Sequence, residues 1–271
     1  MLELTMYNNV KIPQIGFGVY QLMRGKTTYD AVLEALADGY RHIDTAKIYG
    51  NEKSVGKAIK ECGLPREQIF VTKKMWNSDI TARKGKKAFL TSLKKLGLEY
   101  VDLYLLHWPV DGYIEAYKTL IELYNEGKIR AIGVSNFLIR HLEEIKKQGL
   151  MLPMVNQIEV NPQFSNDELV DYCKKNNIIV ESWSPLGGSR HNILDNEVIK
   201  HIADKHNVAP SQVVIRWHID RGLVVLPRSK NPIHIKENFD VEKFSLDEED
   251  MKLMKSLNIN IRTGGDPEQY K

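Results

Sequence analysis

The chain has 271 residues, 42% hydrophobic and 27% charged, which is enough apolar material for the core of one large α/β domain. Its 38 basic and 35 acidic residues give a formal net charge of +3, too small to indicate binding to nucleic acid or to an anionic membrane surface. Its apolar runs are too short to span a bilayer, and MLELTMYNNVKIP lacks the pattern of a secretory signal, so we expect a cytoplasmic protein without a membrane partner.

Short apolar strands alternate along the chain with segments of helical period. A hairpin comes first, with LELTM and KIP flanking YNN. The predicted strands that follow are PQIGFGVY, RHIDT, QIFVTKKMW, VDLYLLHW, IRAIGVSN, MVNQIEV, IIVESWSP and LVVLPRS. The predicted helices are TTYDAVLEALADG, EKSVGKAIKECG, TARKGKKAFLTSLKKLG, YIEAYKTLIELYNEG, IRHLEEIKKQ, NDELVDYCKKNN, the pair NEVIKHIADKHN and SQVVIRWHIDRG, then NPIHIKENF, and a further helix, LDEEDMKLMKSL.

Eight strand–helix units indicate parallel pairing and favour a (β/α)8 TIM barrel, with an N-terminal β-hairpin and an extra C-terminal helix. We predict one domain over residues 1–271. The alternative is an open, doubly wound sheet, which would usually carry a dinucleotide fingerprint near its start. The nearest match, GFGVYQ, has Gln21 at the third glycine position.

Chemistry in such a barrel collects at the carboxyl ends of the strands. The polar and aromatic residues predicted there are Asp44, Lys73 or Lys74 before Trp76, His107 before Trp108, Ser135, Asn136, Gln157, Glu159, Trp183, Ser184, Arg228 and Ser229. Any one of them has an ordinary structural explanation, because strand ends are where the chain meets water. An acid, a lysine, a histidine and a nearby tyrosine on one face are harder to explain that way.

Missing motifs narrow the chemistry. The sequence has no G-x-S-x-G, no candidate nucleophilic cysteine paired with a histidine and no metal-ligand spacing of histidines. Cys62 and Cys173 are typical of thiols in a reducing compartment, with a disulfide the less favoured alternative. An ammonium group held by a carboxylate would lower the pKa of a neighbouring tyrosine from about 10 and make it a tuned proton donor, suited to carbonyl reduction. Tyr49, Asp44 and one of the two lysines can supply these groups.

The chain resembles the aldo-keto reductases over nearly its whole length. The resemblance rests on GYRHIDTAKIYGNE, FVTKKMW, DLYLLHWP, IRAIGVSNF, MVNQIEVNP and WSPLG. It implies a (β/α)8 barrel that binds a nicotinamide cofactor, usually the phosphorylated one, without metal. It also implies a catalytic tetrad of Asp44, Tyr49, Lys74 and His107, where the family's lysine lies two residues before the tryptophan. Lys73 should then face the helical layer, with its charged end reaching solvent.

The same resemblance assigns the cofactor contacts. The nicotinamide end is expected at Gly18, Val19, Ser135, Asn136, Gln157 and Trp183, the last stacking on the ring. Ser184, Leu186 and Gly188 lie in the segment expected to wrap the pyrophosphate. Glu237 and Asn238 match the pair that contacts adenine. Arg228 and Ser229 stand at the position of the usual lysine–serine pair, with Arg228 in place of the lysine. His234 stands where an arginine is expected. We favour NADPH/NADP+, and His234 opens NADH as an alternative.

The resemblance therefore implies NADPH-dependent reduction of aldehydes and ketones, with hydride from the nicotinamide and a proton from Tyr49. Short loops and a short tail predict an open mouth lined by Tyr20, Trp76 and Trp108. We expect broad specificity for small carbonyl substrates such as methylglyoxal, aromatic aldehydes or keto-sugar acids. The alternatives are a prostaglandin F synthase-like reductase and a structural or regulatory barrel that binds cofactor with little turnover. A monomer is the family default, and Lys47 is predicted to be a solvated turn residue.

Overall fold

Eight parallel strands form the central sheet of the computed structural model, which describes residues 2–188 and 192–270. An antiparallel hairpin precedes them, with β1 (Glu3–Thr5) paired to β2 (Lys11–Pro13). The parallel strands are β3 (Phe17–Gly18), β4 (His42–Asp44), β5 (Phe70–Met75), β6 (Val101–Leu106), β7 (Ile129–Ser135), β8 (Val155–Glu159), β9 (Ile179–Trp183) and β10 (Val224–Val225).

Each parallel strand pairs with the next along the chain, and the sheet closes on itself between its first and last strands. Ile15 and Val225 form a parallel bridge there. The Gly16 amide donates to the Val225 carbonyl at 2.9 Å. A Cβ on Gly16 would lie 2.5 Å from Leu226 and 2.6 Å from His42, so only glycine permits this approach. The predicted barrel and its N-terminal hairpin are confirmed.

Helices follow the barrel strands and cover the outside of the sheet, as the strand–helix alternation predicts. They are α1 (Lys26–Ala37), α2 (Glu52–Glu61), α3 (Asn77–Thr81), α4 (Gly85–Leu96), α5 (Tyr113–Asn125), α6 (Ile139–Lys147), α7 (Asp167–Lys175), α8 (Glu197–His206), α9 (Pro210–Asp220), α10 (Pro232–Phe239) and α11 (Glu248–Ser256). The extra C-terminal helix is α11. No helix in the described ranges is long and apolar enough to cross a membrane.

One helix boundary differs from the prediction. The segment TARKGKKAFLTSLKKLG was predicted to be a single helix, but its first residue ends α3 and its helical part begins at Gly85. Arg83 lies between the two helices in the left-handed region, with φ of 52°, which a continuous right-handed helix does not allow. The basic residues of this segment are compatible with one continuous helix and with two separate helices. Periodicity alone therefore could not locate the break.

Strand geometry sets which side chains enter the barrel. Successive residues of a strand point to opposite faces, so Lys74 on β5 points inward and Lys73 outward. Asp44 at the end of β4 and Gln157 on β8 also point inward, where they line the interior cavity. Cys62 and Cys173 are both free thiols, in agreement with the favoured prediction.

Candidate active site

A cavity of about 610 Å³ opens at the carboxyl ends of the barrel strands. The predicted site residues that line it are Gly18, Tyr20, Asp44, Tyr49, Trp76, His107, Trp108, Ser135, Asn136, Gln157, Trp183, Ser184, Leu186, Gly188 and Arg228. Lys74 lies fully buried and contacts two of these residues from below. The predicted residues outside the cavity lining are Val19, Ser229, His234, Glu237 and Asn238.

Tyr49, Lys74 and Asp44 form one connected group at the floor of the cavity. The Lys74 ammonium lies 2.6 Å from each carboxylate oxygen of Asp44 and donates to the Tyr49 hydroxyl at 3.0 Å. Tyr49 ends a short 3₁₀ turn, Lys47–Tyr49, which Gly50 terminates in the left-handed conformation with φ of 70°. The turn returns the tyrosine ring over the end of β4, so the hydroxyl meets the lysine of the next strand.

Burial and charge act in opposite directions on Tyr49. Burial raises the pKa of the Tyr49 hydroxyl to about 12, so the expected lowering is wrong: the Lys74 ammonium acts to lower this pKa, but the effect of burial is larger. The group therefore carries its proton at neutral pH and is in the form of a donor. Lys74 has a raised pKa: burial alone would lower it, and the Asp44 and Tyr49 contacts more than offset that effect. The ammonium thus stays charged and can stabilise the phenolate left by proton transfer.

His107 stands beside Tyr49 at the same end of the barrel. The two rings meet edge to face, with centroids 6.0 Å apart. Trp76 also meets the histidine ring edge to face, with ring centroids 5.1 Å apart. Burial and the nearby Lys74 and Lys73 charges lower the pKa of His107 well below its usual value. The neutral imidazole can donate a single hydrogen bond, and the adjacent tyrosine hydroxyl is a second donor to the same region.

Asn136 joins several of the predicted cofactor contacts. It adopts the left-handed conformation with φ of 63°, which asparagine tolerates better than most residues. Its side-chain nitrogen donates to the His107 carbonyl at 3.0 Å and to Ser135 Oγ at 3.1 Å. Its side-chain oxygen accepts from Trp183 Nε1 at 2.9 Å. The indole plane is therefore fixed relative to His107 before any ligand arrives.

The loop after β9 continues the cavity toward Arg228. Ser184, Gly187 and Gly188 all have positive φ, at 52°, 75° and 62°. The Gly187 amide donates back to the Ser184 carbonyl at 2.9 Å, forming a tight turn. The cavity lining thus includes an aromatic ring, a glycine turn and a guanidinium. Groups of these kinds could hold a nicotinamide, a pyrophosphate and a further phosphate.

The C-terminal segment also contributes to the cavity. Tyr270 stacks on Trp108, with ring centroids 3.9 Å apart and planes 18° apart. Glu159 at the end of β8 holds this segment, accepting from the Thr263 amide at 2.5 Å and the Gly264 amide at 3.2 Å. Trp108 is only 8% exposed as a result. The prediction of an open mouth lined by Tyr20, Trp76 and Trp108 has the right residues, but it missed the tail that covers part of the opening.

Two lysines near the site are placed differently from the prediction. Lys73 faces the helical layer, but its ammonium lies 2.7 Å from Glu52 on α2 and is inaccessible, so the expected exposed charge is wrong. The Nζ atom of Lys47 lies within 2.7 Å of both Asp79 carboxylate oxygens on α3, while its side chain is 35% exposed, so the predicted solvated turn residue is only partly solvated and is also ion-paired. Lys47 begins the turn that carries Tyr49, and Glu52 begins the helix that follows it.

Sequence reasoning missed a buried acid and a buried histidine beneath the cavity. Glu181 on β9 accepts from Gln157 Nε2 at 2.6 Å, and its other oxygen lies 3.3 Å from His42 Nε2. The sequence signal for each was a titratable residue within a predicted strand: Glu181 in IIVESW and His42 in RHID. Within residues 2–188 and 192–270, no group of three histidines, cysteines or acids is arranged to hold a metal ion.

The comparisons with known proteins agree with this barrel. A family model described as "Aldo/keto reductase family" matches residues 14–259. The chain is 49% identical over 269 residues to a 9,11-endoperoxide prostaglandin H2 reductase of Trypanosoma cruzi (strain CL Brener), covering 98% of this chain and 95% of that protein. It is 45% identical over 267 residues to a glyoxal reductase of Bacillus subtilis (strain 168), covering 98% and 96%.

A solved structure, a mutant of Gox0644 in complex with NADPH, matches with a TM-score of 0.93 and 40% identity over 100% of this chain and 98% of that one. The protein belongs to the aldo/keto reductase family. It is an oxidoreductase that acts on carbonyl compounds.

Proposed function

We propose that the protein uses NADPH to reduce aldehydes and ketones to alcohols. The observation that carries the proposal is the contact of Lys74 with both Asp44 and Tyr49, beside His107, on the floor of the cavity. This arrangement supplies a proton donor, a charge that stabilises its conjugate base, and a second donor for the substrate oxygen.

The chain's own residues handle the proton and the developing charge. When bound, the reduced nicotinamide supplies the hydride that adds to the carbonyl carbon. The Tyr49 hydroxyl gives its proton to the carbonyl oxygen as that oxygen gains negative charge. Lys74 stabilises the resulting phenolate, and Asp44 holds the ammonium in place. Neutral His107 donates to the carbonyl oxygen and orients it, and Tyr49 regains a proton from solvent after the alcohol leaves.

The same cavity has groups that suit a nicotinamide cofactor. Trp183 offers a fixed aromatic plane, the Ser184–Gly188 turn offers close backbone approach, and Arg228 offers a charged fork for phosphate. NADPH is supported by Arg228 and by the similar Gox0644 complex, which contains it. His234 is exposed on α10 and lies outside the cavity lining, so we propose that Arg228 is the main contact to the 2′-phosphate.

The substrate is proposed to be a small, reactive carbonyl compound. Aromatic side chains at the mouth suit aromatic aldehydes, and the relatives named above include a glyoxal reductase. Broad specificity follows from a mouth walled mainly by apolar ring faces, which discriminate weakly among small substrates. The similar prostaglandin H2 reductase keeps a lipid endoperoxide as the second candidate substrate.

A cofactor-consumption panel tests the proposal. Methylglyoxal, an aromatic aldehyde, a keto-sugar acid and prostaglandin H2 are each supplied with NADPH, and then with NADH, and the loss of nicotinamide absorbance and the product are both followed. We expect turnover of the small carbonyl compounds and a higher kcat/KM with NADPH. Cofactor binding without turnover of any compound would instead favour the cofactor-binding barrel without catalysis. A preference for NADH would overturn the cofactor assignment.

A further inference from the structure

A cluster of buried polar groups inside the barrel supports the floor of the cavity. The Gln157 side-chain nitrogen donates to Asp44 at 2.9 Å and to Glu181 at 2.6 Å, joining the two acids. The second Glu181 oxygen lies 3.3 Å from His42 Nε2, and the same nitrogen lies 2.8 Å from Thr72 Oγ1. Glu181, His42 and Thr72 are all 0% exposed, so this part of the network has no contact with bulk water.

The charges in this cluster balance when Glu181 and His42 are both neutral. The titratable groups that face it are Asp44 and His42 from β4 and Lys74 from β5. Lys74 and Asp44 already neutralise each other. Burial and the Asp44 charge raise the pKa of Glu181 to about 8, and burial lowers the pKa of His42 to about 3. Both groups are therefore uncharged near neutral pH, which leaves Lys74 and Asp44 as the charged pair of this cluster.

The two acids also decide which way the Gln157 amide faces. Its nitrogen has an acceptor on each side, Asp44 and Glu181, so the amide carbonyl is the group left to face the cavity. A carboxamide nitrogen entering the cavity would find an acceptor there. Glu181 does not line the cavity and does not contact Tyr49. It acts on the cavity through Gln157, and on Tyr49 through Gln157 and Asp44.

We propose that Glu181 is a positioning residue of the reductase: its neutral carboxyl orients Gln157 toward the nicotinamide, and its ionisation weakens proton donation by Tyr49. The inference rests on the function proposed above. An ionised Glu181 would place a second negative charge beside Asp44, which disfavours the Tyr49 phenolate. The same charge favours the cationic oxidised nicotinamide over the neutral reduced ring.

The test measures cofactor binding and turnover against pH in the wild-type protein and in Glu181→Gln, which keeps the size and the acceptor but cannot ionise. Dissociation constants for NADP+ and NADPH come from quenching of tryptophan fluorescence. Wild type should show the ratio of NADP+ to NADPH dissociation constants falling about tenfold as pH rises through about 8, with kcat/KM falling over the same range. Glu126→Gln, which removes an exposed carboxyl, should titrate like wild type.

Glu181→Gln should remain active at neutral pH and show a smaller change of both quantities near pH 8 than wild type does, because only the titration of Lys73 remains in that range. If the pH profile of Glu181→Gln is identical to that of wild type, the inference is overturned and the reductase function stays intact. A ratio of dissociation constants that stays constant with pH in wild type also overturns it, whether or not the variant folds. Absence of carbonyl turnover in wild type, with the fluorescence titration still present, would instead contradict the proposed function.

Discussion

Lys74 places its ammonium 2.6 Å from both carboxylate oxygens of Asp44, in a part of the barrel where both side chains are almost completely inaccessible. The pair links β4 to β5 and is also the base of the proposed proton donor. Its loss should therefore affect stability and turnover together.

Asp44→Asn removes the counter-charge and leaves the Lys74 ammonium buried. Breaking a buried pair from one side costs about 3–5 kcal/mol, so we expect the free energy of unfolding in urea to fall by that amount. The control is Lys86→Gln, which breaks the exposed pair with Glu126 and should cost at most about 1 kcal/mol. Equal losses for the two variants would contradict the assignment of a buried pair.

Glu52→Gln should destabilise the protein in a pH-dependent way. Burial lowers the pKa of Lys73 from 10.5 to about 8 even with Glu52 beside it. Between these values the unfolded chain binds more protons than the folded one, so this group makes stability rise with pH. Without Glu52 the Lys73 charge is less compensated, and the loss at neutral pH should reach about 3 kcal/mol.

The difference between wild type and Glu52→Gln should shrink as pH rises toward about 8 and level off above it, because Lys73 is then neutral in both folded proteins. Urea unfolding at several pH values measures this difference. A difference that stays constant or grows as pH rises toward about 8 would show that the Lys73 charge is not the cause.

Tyr270→Ala removes the ring that stacks on Trp108 at the mouth of the cavity. Tyr270 also lines the cavity, and an aromatic contact between its ring and the substrate contributes about 0.5–1.5 kcal/mol, so KM for an aromatic aldehyde should rise about twofold to tenfold, with a smaller change for methylglyoxal. Tyr270→Phe keeps the ring and serves as the control. Equal changes of KM for the two substrates would argue against a substrate contact in this segment.

Arg228→Ala should weaken binding of NADP+ more than binding of NAD+. Hydrogen bonds to charged groups contribute about 1.5–3 kcal/mol, so the dissociation constant for NADP+ should rise about tenfold or more. The dissociation constant for NAD+, which lacks the 2′-phosphate, is the internal control. A parallel loss for both cofactors would place Arg228 at the pyrophosphate instead.

The local sequence was sufficient to predict the barrel, because alternating apolar strands and amphipathic helices leave few other architectures. It could not locate the break at Arg83, since a run of basic residues fits helix and loop equally well. It also left Lys73 and Lys74 equal, and the family pattern chose Lys74. The contact with Asp44 now gives a physical reason for that choice: only this lysine points into the barrel.

Long-range contacts account for what the sequence did not reveal. Nothing in the tail indicates that Tyr270 meets Trp108, since 162 positions separate them. The ion-pair partners of Lys47 and Lys73 lie on α3 and α2. The exposure of the two lysines therefore could not be read from their neighbours in sequence. The raised pKa of Tyr49 depends on how deeply the hydroxyl is buried, which is a property of the closed barrel.

The most direct test of the proposed chemistry is Tyr49→Phe, assayed for NADPH consumption with an aromatic aldehyde while cofactor binding is followed by tryptophan fluorescence. The substitution removes the hydroxyl that Lys74 contacts at 3.0 Å and keeps the ring. We predict that NADPH binding is preserved and that turnover falls about 10²–10⁴-fold, the usual contribution of a general acid. A folded variant that binds NADPH and reduces the aldehyde at the wild-type rate would contradict the assignment of Tyr49 as the proton donor.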